Sequence, residues 1–254
     1  IPRVLYHWRV HSASTADNPA SKLYAYEAGK KAIEGNLARC GEEGTVTLRS
    51  DYGFYDVDYK LRGTPLVSIL IPNKDQADTL RTCLESIKKK CMYPSYEILI
   101  IENNSTEEAT FSYYKELEAQ GIRVLKYQKQ GFNYSAINNF GVQYAKGEYF
   151  LLLNNDTEII APRLFEEMLG FCQRKAVGIV GARLLYEDDT IQHAGVVIGF
   201  GGVAGHTFIG LHEAENSYFH RAMCAQDYSA VTAACLMVKK SVFEEVGGLT
   251  EELA

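Results

Sequence analysis

The chain has 254 residues, a formal net charge of −6, 46% apolar residues and 23% charged residues. Such a length and composition are typical of one sizeable globular domain with an appendage, and the acidic balance argues against broad nucleic-acid binding. No apolar run approaches the roughly 18 residues that a membrane-spanning helix requires. Six scattered cysteines without a CxxC pair favour free thiols in a reducing cytosol over a disulfide framework.

The first 63 residues have the pattern of an appendage. Asn18-Pro19 is a typical helix start, and apolar residues then recur at helical spacing until Gly41. Residues 55–61 alternate between apolar and polar side chains, which predicts a strand with one solvated face. The sequence therefore predicts an appendage over residues 1–63 and a main domain over residues 64–254.

From Leu66 onward, short apolar runs alternate with amphipathic segments. The runs predict buried strands, and the intervening segments predict helices that cross from one parallel strand to the next. The fold class predicted is α/β, with a mostly parallel sheet flanked by helices. The first strand is expected to end at Pro72, and residues 105–108 fit a capping box for the helix that follows. Predicted strands occupy residues 66–71, 96–101, 122–125, 149–153, 177–181 and 231–238.

The last third of the chain contains a glycine-rich span, residues 201–206, and a long loop predicted over residues 205–227. The glycine-rich span does not form GxGxxG after a first strand, so a Rossmann dinucleotide site is rejected.

Polar clusters follow three of the predicted strands, at Asn73-Lys74-Asp75, Glu102-Asn103-Asn104 and Asn154-Asn155-Asp156. The carboxyl ends of parallel strands meet at one edge of the sheet, where open α/β sheets bind ligands. Asp75 or Glu102 could accept hydrogen bonds from a nucleoside, and Asp156 could hold a divalent cation against a diphosphate. The alternative is that these residues are ordinary polar turns, since Asn and Asp are favoured in turns.

Four segments together resemble the family 2 glycosyltransferases with the GT-A fold, and the resemblance covers about residues 66–254. The segments are residues 67–75, 100–105, 138–141 and 147–156, in this order and spacing. The resemblance implies transfer of a sugar from a nucleotide-diphosphate donor with inversion at the anomeric carbon. It also implies a Mg²⁺ or Mn²⁺ ion, a UDP-sugar as donor, and a glycan or lipid-linked acceptor at the inner face of the membrane.

The resemblance also assigns roles to individual residues. Asp156 would be the metal-binding last residue of a DxD motif, and Glu102 would contact the base. His193, within Ile191–Gly195, would touch the acceptor or donor sugar, unless it is a satisfied structural histidine. The predicted nucleotide and donor-sugar contacts are Pro72, Asn73, Asp75, Glu102, Asn104, Asn139, Gly141, Asn155 and Asp156.

Two residues depart from the family pattern, because Asn154 stands where the first Asp of DxD is usual and Glu102 where Asp is usual. The first departure leaves one carboxylate for the metal, which Mg²⁺ tolerates when phosphates and waters complete its shell. Residues 247–252 resemble the segment that precedes the catalytic base, so the base is expected beyond Ala254 and the chain is expected to be a truncated catalytic unit. Residues 6–11 resemble the end of a preceding transferase module, which suggests a tandem parent protein.

Two alternatives to an inverting glycosyltransferase follow from the same residues. A non-catalytic nucleotide-sugar-binding module is consistent with Asn154 and the missing base. A sugar nucleotidyltransferase is disfavoured, because that class uses a glycine-rich basic loop after the first strand and residues 71–75 contain no glycine.

Overall fold

A computed structural model describes residues 3–12 and 14–252, and the chain divides into two compact units, Ile1–Lys60 and Leu61–Ala254. The first unit contains a 3-10 turn, Pro19–Lys22, helix α1, Leu23–Arg39, and an antiparallel pair of strands, β1, Gly44–Leu48, and β2, Tyr55–Tyr59. The Asn18 side chain accepts a hydrogen bond from the Ala20 N–H at 3.1 Å, so it caps the helical segment as predicted. The sequence did not reveal β1, because only Val46 of that strand is buried and its pairing depends on β2.

The second unit contains the remaining elements. In chain order they are β3, Val67–Asn73; α2, Ala77–Lys90; β4, Tyr96–Asn103; α3, Glu108–Ala119; β5, Arg123–Tyr127; α4, Tyr134–Val142; β6, Tyr149–Leu153; and α5, Leu164–Cys172. They continue as β7, Ile179–Gly181; β8, Leu184–Leu185; β9, Ile191–His193; β10, Val196–Ile198; β11, Ala204–His206; a 3-10 turn, Tyr218–His220; β12, Cys235–Lys239; and α6, Lys240–Glu245.

A six-stranded sheet in the order β5-β4-β3-β6-β12-β7 is the centre of the second unit. Strands β3 to β6 pair in parallel, whereas β12 runs antiparallel to both β6 and β7. Two short antiparallel pairs, β8 with β9 and β10 with β11, lie outside this sheet. The α/β class with a mostly parallel sheet is therefore confirmed.

Helices cover both faces of this sheet because consecutive strand residues point to opposite sides. Side chains such as Ile69 and Leu151 pack in one apolar cluster with α2, α3 and α5. Their neighbours Leu70 and Leu152 pack in a second cluster with α4 and α6. Strands buried on both faces explain the continuous apolar runs in the sequence. Among the described residues, no helix is both long and apolar enough to cross a bilayer.

The structure corrects two local predictions. Strand β3 does not end at Pro72 but continues to Asn73, because β6 pairs with β3 only as far as Leu70, and proline is tolerated where no ladder hydrogen bond is needed. Helix α3 does not begin with a capping box at Ser105, because its N-cap is Glu107 and no side chain caps it. Ser105 instead serves the loop after β3, as described below.

Candidate active site

Three polar segments lie side by side at one edge of the sheet. They follow β4, β3 and β6, which are adjacent and parallel. The order across this edge is residues 102–104, then 73–75, then 154–156. Pro72 is half-buried and is the penultimate residue of β3, just before this edge. The fold thus brings the polar clusters together at the position where open α/β sheets bind ligands.

The side-chain amide of Asn73 joins the loops after β3 and β6. Its Oδ1 accepts a hydrogen bond from Asn155 Nδ2 at 2.7 Å. Its Nδ2 donates to Tyr114 Oη at 2.7 Å and to the Asp75 carbonyl at 3.0 Å. Asn73 is 2% exposed, so these bonds are made in a nearly dry environment, where losing one is costly. Asn73 and Asn155 therefore shape the site by fixing two loops relative to each other.

Asp75 holds the loop that precedes α3. Its Oδ1 accepts from the backbone N–H groups of Thr106 at 2.6 Å and Glu107 at 2.9 Å, and these bonds lower the pKa of the Asp75 carboxyl. Its own N–H donates to Ser105 Oγ at 2.9 Å. Asp75 adopts a left-handed backbone conformation, φ 53°, which Asp tolerates better than most residues. Oδ1 is thus committed to the loop, whereas Oδ2 accepts only a long hydrogen bond from Thr106 Oγ1, at 3.5 Å, and is the oxygen better placed for a ligand.

Glu102 and Asn104 order the loop after β4. Glu102 is 3% exposed, and its Oε1 accepts from the Ser105 N–H at 2.6 Å. Asn104, at φ 58°, donates from Nδ2 to Asn103 Oδ1 at 2.8 Å and to the Lys129 carbonyl at 2.9 Å. Both side chains therefore lie at the predicted edge, and both already have partners within the protein.

Asp156 is different, because its carboxylate is exposed and has no hydrogen bond or ion pair to any residue in 3–12 or 14–252. The loop that carries it is well anchored, since the Asn154 N–H donates to the Ala234 carbonyl at 2.9 Å and the Thr157 N–H to the Asn154 carbonyl at 3.3 Å. Beneath it lies Cys83, whose pKa is raised to about 12 by burial and, to a lesser extent, by the charge of Asp156. A charged, unpartnered carboxylate on an ordered loop is chemically suited to binding a hard cation.

Few protein side chains at this edge could coordinate a metal ion. No group of three or more His, Cys, Asp or Glu side chains that could hold a metal ion occurs among the described residues. Asp156 fits a cation that takes the rest of its shell from phosphate oxygens and water, as Mg²⁺ commonly does. Glu102 is already bonded to Ser105 and does not add a second free carboxylate.

Asn139 anchors the last described residues of the chain. Its Nδ2 donates to the Leu249 carbonyl at 2.8 Å and to Glu251 Oε1 at 2.9 Å, and its Oδ1 accepts from the Leu249 N–H at 2.9 Å. Asn133, the N-cap of α4, donates to the Glu251 carbonyl at 2.8 Å. The segment that resembles the run before the catalytic base is therefore held against α4, and the predicted contact of Asn139 with the nucleotide stays a prediction.

Gly141 lies where α4 packs against the sheet. A Cβ at this position would lie 2.8 Å from Leu70 Cδ2 and 2.9 Å from Ile101 Cδ1. Glycine therefore allows a close approach of helix and sheet. Gly141 lies among buried side chains, and its predicted role beside the donor sugar also stays a prediction.

His193 is buried, at 1% exposure, in β9. Its Nδ1 lies 2.9 Å from His206 Nδ1, and its Nε2 accepts from the Thr232 N–H at 3.3 Å. Burial, and secondarily the charge of His206, lowers the pKa of His193 to about 4. His193 itself therefore has the contacts of a satisfied histidine, while its partner His206 is half-buried.

Several residues that shape the site were not identified from the sequence as site residues. Tyr114 was predicted only as an apolar face of a helix, Ser105 as a helix cap, and Thr232 as part of a strand. His206 was placed in a loop. The glycines at 199–202 are the signal that could have revealed a hairpin, in which His206 pairs with Val196, three residues after His193.

A mostly parallel α/β sheet with an antiparallel strand beside β6, and polar loops gathered at one edge, defines the GT-A class of glycosyltransferase folds. The structure resembles the mannosyltransferase PcManGT from Pyrobaculum calidifontis in complex with GDP-Man and Mn²⁺, with a TM-score of 0.54, 14% identity, and coverage of 92% of this chain and 58% of that one. Because the sequence identity is only 14%, this similarity shows a shared fold and nothing more. Residues 68–247 match Glycosyl transferase family 2, and the chain belongs to that family.

Two longer bacterial proteins are similar to nearly the whole chain. The uncharacterized protein y4gI of Sinorhizobium fredii is 45% identical over 255 residues, and the O-antigen biosynthesis protein RfbC of Myxococcus xanthus is 40% identical over 252 residues. Each match covers 99% of this chain but only 28% and 20% of the respective relatives. The chain therefore corresponds to less than a third of either protein.

Proposed function

We propose that this chain is the donor-binding part of an inverting glycosyltransferase that moves a sugar from a nucleotide diphosphate to a glycan or lipid-linked acceptor with the help of a divalent metal. The observation that carries the proposal is the Asp156 carboxylate, which has no partner among the described residues and lies at the same sheet edge as the loops after β3 and β4. The neighbour from Pyrobaculum calidifontis, bound to GDP-Man and Mn²⁺, supports this type of ligand on this fold. The relation to an O-antigen biosynthesis protein supports polysaccharide synthesis, which we place at the cytoplasmic face of the membrane.

Within this proposal, the nucleoside lies over the loops after β4 and β3. Glu102 and Asn104 flank the base, Pro72 supplies an apolar surface, and Asp75 offers Oδ2 to a ribose hydroxyl. Asn73 and Asn155 keep the loops after β3 and β6 at a constant spacing. A uridine nucleotide is the proposed donor.

Asp156 would hold Mg²⁺ or Mn²⁺ against the diphosphate. When bound, such an ion neutralises the charge that develops on the leaving diphosphate. Asp156 needs no rearrangement to take this role, because its loop is already anchored to Ala234 and its carboxylate has no competing partner among the described residues. The acceptor hydroxyl must lose a proton on the opposite face of the sugar, and Glu251 is not assigned to this step, because its carboxylate accepts from Asn139.

One observation favours the alternative of a nucleotide-sugar-binding module without catalysis: Asn154 leaves a single carboxylate in the motif. A nucleotidyltransferase is disfavoured by the loop after β3. The N–H groups of Asp75 and Gln76 donate to Ser105 Oγ at 2.9 Å and Glu107 Oε2 at 3.2 Å, so they are not free to surround a phosphate.

Calorimetry with UDP and Mn²⁺ tests the proposal. We expect Asp156→Asn, which removes the charge but keeps the shape, to weaken metal-dependent binding at least about tenfold, because the cation loses the carboxylate proposed to hold it. Glu158→Gln removes a charge that is also exposed, two residues away, and serves as the matched control. Equal binding by the wild type and Asp156→Asn would refute the site.

A turnover assay separates the enzyme from the binding module. Release of nucleoside diphosphate from a sugar nucleotide that binds the wild type, lost in Asp156→Asn, supports transfer. Tight metal-dependent binding without any release, also in a longer protein that continues past residue 254, supports the non-catalytic alternative.

A further inference from the structure

The pair formed by His193 and His206 is not explained by the proposed nucleotide site. His193 is buried, whereas His206 is half-buried, and the Nδ1 atoms of the two rings lie 2.9 Å apart. The ring centroids are 4.9 Å apart and the planes are tilted by 78°. Apart from His193, the side chain of His206 has no hydrogen-bond partner in residues 3–12 and 14–252.

The hydrogen bonds determine which nitrogen carries each proton. A backbone N–H can only donate, so His193 Nε2, 3.3 Å from the Thr232 N, must be the acceptor and carries no proton. Neutral His193 therefore carries its proton on Nδ1 and donates it to His206 Nδ1. Neutral His206 must then carry its proton on Nε2, which points away from His193.

The pair is anchored next to the loop that carries Asp156. Thr232 contacts His193, and two residues further on the Ala234 carbonyl accepts from the Asn154 N–H at 2.9 Å. Two residues of chain span at most about 7 Å, so the pair lies beside the metal loop. It lies on the β12 side of that loop, because Cys235, the first residue of β12, pairs with Leu153, the last residue of β6.

The order of strands along the sheet edge indicates which part of a bound nucleotide sugar would lie on the β12 side of the Asp156 loop. Going from β4 through β3 to β6, the edge offers the proposed nucleoside loops and then Asp156. A nucleotide sugar laid out in this direction continues past the diphosphate to its glycosyl group. The next protein segment in that direction is the start of β12 with the histidine pair.

We propose that His206 donates a hydrogen bond from Nε2 to an oxygen of the glycosyl group of the bound donor, with His193 as the residue that positions it. The proposal rests on the proposed function, because it takes the nucleotide sugar as the ligand. His206 is thereby a fixed donor rather than a base, since its Nδ1 lone pair is occupied and its Nε2 holds a proton. Two facing nitrogens alone do not form a metal centre, and no third ligand joins them among the described residues.

The tautomers can be observed directly by long-range ¹H–¹⁵N correlation NMR of the imidazole nitrogens at pH 7.5. We expect His193 protonated on Nδ1 and His206 on Nε2. His193→Gln, which removes the Nδ1–H, is expected to leave His206 as a mixture of tautomers. A His206 that is protonated on Nδ1 in the wild type would overturn the proposal without any assay of activity.

Binding supplies the second test, with UDP-glucose, UDP-galactose, UDP-N-acetylglucosamine and GDP-mannose as probes, each compared with UDP or GDP in the presence of Mn²⁺. For the probes that bind the wild type, His206→Asn should weaken binding of the sugar nucleotide about five- to tenfold while the nucleoside diphosphate is unaffected. His206→Gln places an amide N–H near the position of Nε2 and should recover part of the loss.

The outcomes distinguish the two proposals. If Asp156→Asn loses metal-dependent binding but His206→Asn binds sugar nucleotide and diphosphate like the wild type, the role of His206 is refuted and the proposed function remains. If His206→Asn weakens both ligands equally, His206 does not contact the glycosyl group. If no probe binds the wild type, both proposals fail.

Discussion

At the scale of single residues, the side chains of this site serve first to hold its loops. Asn73 uses both amide protons and its carbonyl oxygen within the protein, and Asp75 commits one carboxylate oxygen to the backbone before α3. Asp156 is the exception in the three clusters, as a carboxylate without a partner among the described residues. The contrast between committed and uncommitted polar groups is the reason we propose Asp156 as the residue that binds the metal.

The amide of Asn73 is predicted to be important for stability. Asn73→Ala leaves the Asn155 amide and the Tyr114 hydroxyl without this buried partner, which should lower the free energy of unfolding by about 1–3 kcal/mol. Urea unfolding monitored by circular dichroism measures this change. Lys74→Ala, at the exposed neighbouring position, should change it by no more than about 0.5 kcal/mol, and equal effects of the two variants would contradict the role of Asn73.

His193 is predicted to make stability depend on pH. Its folded pKa of about 4 is below the ordinary value of 6.5, so the folded state binds fewer protons than the unfolded state. The stabilisation is complete above pH 6.5 and is lost as the pH falls toward 4. Between pH 7.5 and pH 5 the loss should be about 2 kcal/mol in urea unfolding.

Substitution of His193 tests whether this residue causes the pH dependence of stability. His193→Gln should show a smaller loss of stability over the same pH range, whereas His7→Gln, at an exposed position, should behave like the wild type. An equal loss in the wild type and His193→Gln would show that other groups cause it.

At the scale of elements, helix α4 connects the sheet to the end of the chain. Gly141 lets it approach Leu70 and Ile101, while Asn133 and Asn139 hold residues 249–251. The position of the segment that resembles the run before the catalytic base therefore depends on how closely this helix packs.

Gly141→Ala tests this packing. Helix propensity alone predicts a gain of about 0.5–1 kcal/mol for alanine, but the added methyl group would lie within 2.9 Å of side chains in the sheet. We therefore expect a net loss of about 1–3 kcal/mol in the free energy of unfolding. The same substitution at Gly35 in α1, where the Cβ would meet only Arg39 Nη1 at 3.4 Å, should be stabilising. A gain at both positions would mean that α4 has room to move.

The bounds of individual strands and helices show how much local sequence patterns can predict. The apolar runs at 149–153 and 96–101 predicted β6 and the core of β4, because a strand buried on both faces needs apolar residues throughout. The end of β3 was predicted wrongly at Pro72, since a proline is tolerated there only because β6 has already diverged. The role of Ser105 was also wrong, because its partner Asp75 is 30 residues away.

At the scale of the whole molecule, every strand of the central sheet and every predicted site residue lies in the unit Leu61–Ala254. We expect residues 61–254, expressed without residues 1–60, to fold and to keep metal-dependent nucleotide binding. Far-UV circular dichroism, thermal unfolding and calorimetry with UDP and Mn²⁺ check this. A folded unit that no longer binds the nucleotide would show that the first 60 residues contribute to the site.

The sequence by itself determined the fold class and the family, because buried strands and polar strand ends are encoded within a few neighbouring residues. It also placed Asp156 at a strand end, at the same edge of the sheet as the polar ends of β3 and β4. Only the tertiary structure decided which of those polar groups remain unpaired and that His193 faces His206. The reason is physical: whether a polar side chain is free depends on partners such as Asn155 for Asn73 or Thr232 for His193, which are 82 and 39 residues away and meet only when the sheet forms.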